Sequence, residues 1–434
     1  MQGGTAVPAG AAAEELSAER DSVRSAPRRR VRRYLKHPRL RPYHRLVALV
    51  VLVNMVVALL VGPARLTAAV MSTLALANLV AAVVIRQQDI VNALFRLATG
   101  VPKAWPLSWR WAAAKVYHLG GIHVGAAISA TCWLTAATVL SAAPAVSWAL
   151  TAVVIALCVS AAPGLRERRH DWFENSHRFG GWIALALLSA VQVANLTGPD
   201  PGRLAWVQAG LTGVVIAVVA LPWLRLRRVG VAVERVSAHA AIVTFDRALK
   251  IFPGSWMPVA RHPLGQWHSF AHLPPLPGDA RSRMVVSRAG DWTGDFIDDP
   301  PTRLWIRGIP TAGVAGVGSS FRHVVYLATG SGIGPILPHL IARRTPLRLI
   351  WITRAPRATY GDQLVDEVLA AEPGAVIWDT TVRGKPDTIA LVRETVAACG
   401  AEAVICISNK PLTVEIVTAL ERSGIPVCGA LWDS

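Results

Sequence analysis

"VVYLATGSGIGPILPHL", from Val324 to Leu340, holds an apolar run, a glycine-rich turn and a second apolar stretch. The order reads as strand, tight turn and helix. Gly330, Gly332 and Gly334 let the backbone approach a pyrophosphate, and a helix N-terminus behind them favours negative charge. Pro335 suits the first helical turn, where a missing N–H costs nothing. The surrounding texture agrees. "HVVYLA", "LRLIWI", "AVIW" and "AVICIS" recur between helical segments from about residue 323, the βαβ texture of a parallel sheet. Upstream, "VGVAVERVSAHAAIVTF" (229–245) alternates apolar and polar residues and reads as a β-hairpin. The C-terminal half is therefore expected to be a small antiparallel β domain followed by a nucleotide-binding α/β domain.

The bulk properties point to a bilayer. The chain has 434 residues, 53% of them hydrophobic, and a formal charge of +18; its mean hydropathy is +0.39. Basic residues collect on the cytoplasmic side of membrane proteins. Nucleic acid, the other usual partner of strong positive charge, is not expected, because the arginine clusters abut apolar runs. Five scattered cysteines (Cys132, Cys158, Cys399, Cys406, Cys428) show no metal or redox spacing and read as reduced residues.

Six apolar stretches approach the ~20 residues that span a bilayer: roughly 46–62, 66–85, 111–141, 146–163, 178–196 and 204–224. The loops between them alternate in charge. The segment before the first stretch, the loops after the second and fourth, and "RLRR" after the sixth are basic; the other three hold only Arg65 and Arg203. The expectation is a multi-pass plasma-membrane protein with both termini cytoplasmic. Residues 1–27 look disordered, and no cleavable signal peptide is expected, since the apolar run starts too late. The domain reading is a basic tail (1–43), a six-helix transmembrane domain (44–226), a β-barrel (227–318) and an α/β domain (319–434).

Two stretches downstream of the hairpin carry a resemblance. "QWHSFAHLP" (266–274) and "VVSRAGDWTGDF" (285–296) resemble, in order and content, the flavin segments of the ferredoxin–NADP reductase superfamily, in its membrane branch of ferric reductases and NADPH oxidases. His268-Ser269-Phe270 matches that branch's H-P-F-[TS] stretch, and Gly290-Asp291-Trp292-Thr293 its G-D-W-T stretch. The 330–335 loop matches its nicotinamide-nucleotide loop, and "WDTTVRGKPD" (378–387) resembles its D-T-R-x-x-G-R-P-D segment. The chain also resembles a set of six-helix bacterial and fungal integral membrane flavoproteins that share "AGDWT", "ATGSGIGP" and a "WDS" ending. Some of those carry an adenylate-forming domain; none is expected here. The resemblance implies FAD held by His268, Ser269, Phe270, Asp291, Trp292 and Thr293. It implies NADPH or NADH held by Gly330, Ser331, Gly332, Gly334 and Pro335. Arg354 and Arg357 follow the second strand of the α/β domain, where a 2′-phosphate would sit, and favour NADPH. Trp432 is a candidate to stack on the isoalloxazine. The chain departs from the pattern at Ser269 and Ala271, and at "ISNKP" (407–411), which replaces the usual C-G-P.

The third departure concerns heme. Ferric reductases of this branch place two histidines about 13–14 residues apart, roughly 20 Å, on each of two helices. Here "YHLGGIHVG" supplies His118 and His123, and "RERRHDWFENSHRFGGW" (166–182) supplies His170 and His177. Cys132 and Ala190 stand where the outer pair would be, so an outer heme is not expected. One inner b-type heme stays open, with His177 on one side and His118 or His123 on the other. Five residues apart, the latter two point about 140° apart on a helix and cannot share one site. His118 is nearer His177 in expected depth, while Gly121 and Gly125 beside His123 suggest room for a flat ring. His170 lies on nearly the same face as His177 and reads equally as an interfacial side chain.

The expected function is a membrane-bound NAD(P)H-dependent flavoprotein oxidoreductase. Electrons would pass through FAD to a membrane-side acceptor: a quinone, a small molecule or a partner protein. The alternative is a membrane-anchored flavin or nucleotide sensor without steady turnover.

Overall fold

The computed structural model describes residues 41–141, 143–199 and 201–430. Most of the basic tail and Trp432 lie outside them.

Among the described residues, six apolar helices come first: Pro42–Val61, Ala68–Val84, Gly120–Leu140, Ala145–Ser160, His170–Leu196 and Arg203–Leu224. Four are long and apolar enough to cross a membrane by length and composition: the first, third, fifth and sixth. Ala145–Ser160 has only 16 residues. Ala68–Val84 has 17, and it meets the Gln88–Thr99 helix at a bend of 69°. The bend has a local cause. Gln87 caps the second helix, its side chain accepting from Ile90 N–H at 3.0 Å and donating to Asp89 at 2.7 Å. That helix then turns Val91, Leu94 and Phe95 toward the core of the α/β domain.

Within the helical half, small residues and amides set the packing. A Cβ on Gly121 would stand 2.4 Å from the Tyr43 carbonyl, and one on Gly125 would stand 2.9 Å from that of Val47. The Pro42–Val61 and Gly120–Leu140 backbones therefore approach at side-chain-free points. Asn54 and Asn78 exchange amide hydrogen bonds at 3.0 and 2.7 Å, and Trp133 donates to Asn54 at 2.9 Å. Gln208 ties the last helix to Ala69 and Thr73.

The expected 111–141 stretch is not one helix. It breaks into Leu107–Ala114, a 3₁₀ turn Lys115–His118, and Gly120–Leu140. The first two pieces leave the bundle and dock on the α/β domain. Arg110, 2% exposed, holds Glu402 with two bonds of 2.7 and 2.9 Å. Lys115 reaches Glu421 at 2.8 Å. An arginine fully desolvated by this pairing has little reason to stay in an apolar span.

The second half begins with strands β1 (Arg227–Arg235), β2 (Ala240–Phe245), β3 (Ser255–Ala260), β4 (His268–Leu273), β5 (Arg283–Ser287), β6 (Arg303–Ile306) and β7 (Thr311–Ala312). The expected hairpin is β1–β2, antiparallel, with Val231 opposite Phe245. Sheet order β4-β5-β2-β1-β6-β3-β7, with an added β3–β4 pairing, closes six strands into a barrel. Closure removes the free edges an open sheet would expose. Val229, Val243, Phe245, Met257, Val259, Met284, Phe296 and Leu304 fill it; each such side chain contributes roughly 1.5–3 kcal/mol by burial.

The third unit is a parallel sheet in the order β10-β9-β8-β11-β12. Its strands are β8 (Val324–Thr329), β9 (Leu347–Thr353), β10 (Val376–Asp379), β11 (Ala403–Ile407) and β12 (Val427–Gly429). Side chains alternate between two buried faces. Val324, Tyr326 and Ala328 join one core, Val325 and Leu327 the other. Burial on both faces explains the near-continuous apolar runs.

Candidate functional site

Strand order reverses between β9-β8 and β11-β12, so a crevice opens at the C-terminal ends of β8 and β11. The glycine-rich turn lies there, between β8 and the Ile333–Ala342 helix. Gly330 has φ +51°, and its carbonyl accepts from Trp351 Nε1 at 2.9 Å. A Cβ on Gly332 would meet the Ile407 carbonyl at 2.3 Å, and one on Gly334 would meet Val285 of β5 at 2.9 Å. The turn is thus wedged between β11 and the barrel. Ser331 stays exposed at its tip, and Pro335 lies in the first turn of the helix. Thr329 and Ser408 join hydroxyls at 2.6 Å across the strand ends, so "ISNKP" sits at the mouth of the crevice.

The barrel presents its own cradle nearby. Trp292 packs between aromatic rings: His268 at 4.2 Å, Phe270 at 6.0 Å and Phe296 at 5.3 Å, all within 30° of parallel. Thr293 fixes the turn that carries Trp292. Its Oγ1 accepts from Ala289 and Gly290 N–H at 2.8 and 3.1 Å. The Asp291–Asp298 helix starts there, beside an open depression lined by Arg288, Gly290, Asp291, Gly294 and Asp295. Ser269 is exposed on β4. The aromatic faces could hold a flavin ring; at the helix start Asp291 and Asp295 oppose a phosphate, and Arg288 is already paired with Asp298.

Arg354 and Arg357 differ in environment. Arg354 is exposed after β9. Arg357 is engaged by Asp362 and Asp366, both at 2.8 Å, and these carboxylates raise its pKa. A guanidinium already neutralised by two acids is a poor phosphate grip, so Arg354 is the better placed of the two.

The barrel and bundle are bolted together. Arg307 lies over Trp223 at 4.7 Å and over Trp267 at 4.5 Å. Burial, then repulsion from Arg178, pushes its pKa down to about 10, against the pull of Glu174. Trp267 N–H donates to Glu174 at 3.2 Å, and Arg178 donates to the Gly265 and Leu264 carbonyls. Trp182 continues the contact into the helices, 5.2 Å from Trp223. Asn92 bonds Pro310 and Ala312, and Gln88 accepts from Ile309 N–H. Lys410 pairs with Glu167. Sequence reading missed this belt. Its only local signal is tryptophan and arginine at helix ends.

Of the four candidate heme histidines, the structure brings His123 and His177 together. Their ring centroids lie 6.4 Å apart at 68°. His123 Nδ1 bonds the Ala82 carbonyl at 2.9 Å, which orients the ring. The two rings meet edge to face. This spacing suits two ligands of one iron. Of the two partners left open for His177, His123 is the one whose ring lies against it. His118 lies on the 3₁₀ turn beside Tyr117, with Lys115, Arg41 and His44 as its electrostatic neighbours. The room expected beside His123 is also elsewhere: Gly121 and Gly125 are filled by the Pro42–Val61 helix. His170 is the first residue of its helix. Among the described residues no group of three or more His, Cys, Asp or Glu could hold a metal ion.

Residues 314–434 match the family model described as "Adenylate-forming reductase 03009, C-terminal domain". Adenylate-forming reductase 03009 of Coprinopsis cinerea is 40% identical over 426 residues, covering 93% of this chain and 41% of the relative. Adenylate-forming reductase 06235 of the same organism is 38% identical over 435 residues, covering 95% and 42%. The chain thus spans about two fifths of the length of the curated relatives it matches. Among solved structures, flavohemoglobin from Malassezia yamatoensis with bound FAD and heme matches at 13% identity and TM-score 0.42, covering 83% of this chain and 98% of that one. Phthalate dioxygenase reductase matches at 19% identity and TM-score 0.36, covering 47% and 67%.

Proposed function

We propose that this chain is a membrane-bound NAD(P)H-dependent flavoprotein oxidoreductase that delivers electrons to an acceptor on the membrane side. The observation that carries the reading is the wedging of the glycine-rich turn between β11 and the barrel strand β5. It joins a dinucleotide crevice to an aromatic cradle on the neighbouring barrel. Gly330, Gly332 and Gly334 would bring backbone N–H groups to the nucleotide pyrophosphate, and Arg354 would reach a 2′-phosphate. His268, Phe270 and Trp292 would hold the ring system of FAD. His123 and His177 would hold one b-type heme. Bound together, these groups supply hydride transfer to the flavin and single-electron transfer onward.

The membrane reading rests on charge and packing together. The loops whose arginines mark them as cytoplasmic are the ones that touch the reductase half, through Gln88, Asn92, Arg110, Glu167 and Arg178. The acceptor would therefore be met among the helices, on the far side of the Trp223–Arg307–Trp267 belt from the crevice.

The test is an absorption spectrum of detergent-purified protein made with ample heme, before and after NADPH, followed by NADPH oxidation with an added acceptor. A flavin band that bleaches, a Soret band lost in His123→Ala and His177→Ala but kept in His118→Ala, and sustained turnover are expected. A flavin band without a Soret band removes the heme. One stoichiometric reduction without turnover moves the protein to the sensor reading. Absence of any flavin overturns the proposal.

A further inference from the structure

The Gln88–Thr99 and Leu107–Ala114 helices each bury one face and leave the other bare. On the first, Gln88, Asn92 and Phe95 face the reductase half. Gln88 accepts from Ile309 N–H, Asn92 bonds Pro310 and Ala312, and Phe95 enters the α/β core. By helical geometry, Ile90 and Leu97 lie roughly 150–170° round the helix from that stripe. On the second, Leu107, Arg110, Trp111 and Ala114 face the α/β domain, and Trp109 lies roughly 150° from them. The outward residues are large and apolar. Leu97 is 73% exposed and Trp109 64%, Ile90 and Trp105 are exposed as well, and the two tryptophans meet edge to face at 5.8 Å.

The bend sets the direction of this face. The Gln88–Thr99 helix leaves the Ala68–Val84 helix at 69°, so where the latter crosses a bilayer the former runs close to the bilayer plane. The reductase half takes its inner face, and the opposite face is turned to the lipid. Both ends of the excursion join apolar bundle helices, at Val84 and at Gly120. Charge agrees with this placement. From Ile90 to Arg166 the sequence holds no aspartate or glutamate, and Asp89, next to Ile90, is paired with Arg225. Arg110 and Lys115 turn inward to Glu402 and Glu421. Arg96 is exposed beside Leu97, and Lys103 donates to the Thr345 hydroxyl at 3.3 Å, a neutral partner that leaves its charge in place. An apolar face rimmed by cations, with tryptophan at its edge, fits the boundary between acyl chains and anionic headgroups. Residues 28–45 of this chain are basic too, so like charge disfavours them as the cover.

We propose that Ile90, Leu97, Trp105 and Trp109 form a surface that lies in the headgroup region of an anionic lipid leaflet, with Arg96 and Lys103 at the phosphates. The contact would hold the reductase half at a fixed height, because the inner faces of the same two helices grip the barrel and the α/β domain. The proposal rests on the membrane reading and is independent of flavin and heme.

The test is thiol labelling of the full chain, one chain per nanodisc, in discs containing phosphatidylglycerol. A water-soluble maleimide is applied, and each site is read by peptide mass spectrometry, which separates it from the native cysteines. Leu97→Cys and Trp109→Cys are compared with Val382→Cys, 80% exposed on the α/β domain, and with Leu52→Cys, exposed in the middle of the Pro42–Val61 helix. Either patch variant keeps three of the four apolar side chains, and withdrawing one such side chain from water favours the seated state by more than about tenfold. Both should therefore label at least about tenfold more slowly than Val382→Cys, and more slowly in these discs than in discs of phosphatidylcholine. Labelling of both at the Val382→Cys rate while Leu52→Cys stays protected overturns the proposal and leaves the membrane reading standing. Labelling of Leu52→Cys at the Val382→Cys rate removes the membrane reading, and the proposal with it. Equal protection in phosphatidylcholine discs overturns the choice of an anionic partner. Protection that appears only with two chains per disc makes a second copy the occupant and overturns the lipid contact.

Discussion

Replacing Gly332 by alanine probes the wedge between the glycine-rich turn and β11. The backbone at Gly332 has φ −58° and ψ −11°, which alanine adopts freely, so conformational strain is not the issue. Space is. The added Cβ would stand 2.3 Å from the Ile407 carbonyl oxygen, 3.2 Å from its carbon and 3.2 Å from the Ile407 Cγ2. The first contact is with backbone, which cannot swing aside like a side chain. Relief requires the turn and β11 to part by about 1 Å, an overpacking cost of about 1–3 kcal/mol. If the displacement falls on the nucleotide crevice, NADPH affinity drops about 5- to 150-fold. The assay is a titration of the full-length flavoprotein with NADPH under anaerobic conditions, following flavin bleaching. Gly316→Ala is the comparator, since its Cβ would enter open space. Gly332→Ala binding NADPH within twofold of the parent would refute the reasoning, because the turn would then not be the nucleotide's seat.

Other outcomes follow from the same geometry. Arg110→Met takes two bonds from Glu402, which keeps Arg322 N–H at 2.7 Å, and strips the Ser320 and Trp105 carbonyls of the Arg110 donor; the loss should stay at or below the about 3–5 kcal/mol of a fully broken buried pair, and Arg110→Met with Glu402→Met should recover part of it in thermal melts. Equal melting of the single and double variants would contradict this. Arg354→Ala should raise KM for NADPH and leave NADH unchanged, whereas Arg357→Ala should do little, since Asp362 and Asp366 already occupy that guanidinium; steady-state kinetics with both nucleotides decides. His272 is buried with neither ring nitrogen bonded, and burial pushes its pKa from 6.5 down to about 4. Below about pH 6.5 the unfolded chain takes a proton that the folded ring refuses, so stability falls with pH through that window, by up to about 1.4 kcal/mol per unit. His272→Leu should flatten the slope between pH 6.5 and 4; an unchanged slope would clear His272 of the effect.

What the sequence carried was mostly local. The β1–β2 hairpin, the glycine turn and the two-faced strands of the parallel sheet all announce themselves within a dozen residues. Backbone geometry imposes their periods directly. The apolar helices announce themselves too, but not their ends. The Gln87 cap and its 69° bend lie inside a stretch whose composition reads as a plain basic loop.

Tertiary structure decided the pairings. His123 rather than His118 meets His177, because a 3₁₀ turn at Lys115–His118 separates the latter from the bundle helix. Arg110 looks like the edge of a membrane span until the chain returns 292 residues later to place Glu402 against it. Arg357 looks like a phosphate ligand until Asp362 and Asp366 fold back on it. The Trp223–Arg307–Trp267 stack draws on a helix end and two barrel segments. A residue type and its spacing set what a side chain can do. Which partner it finds depends on how distant segments come together, and pattern alone does not record that.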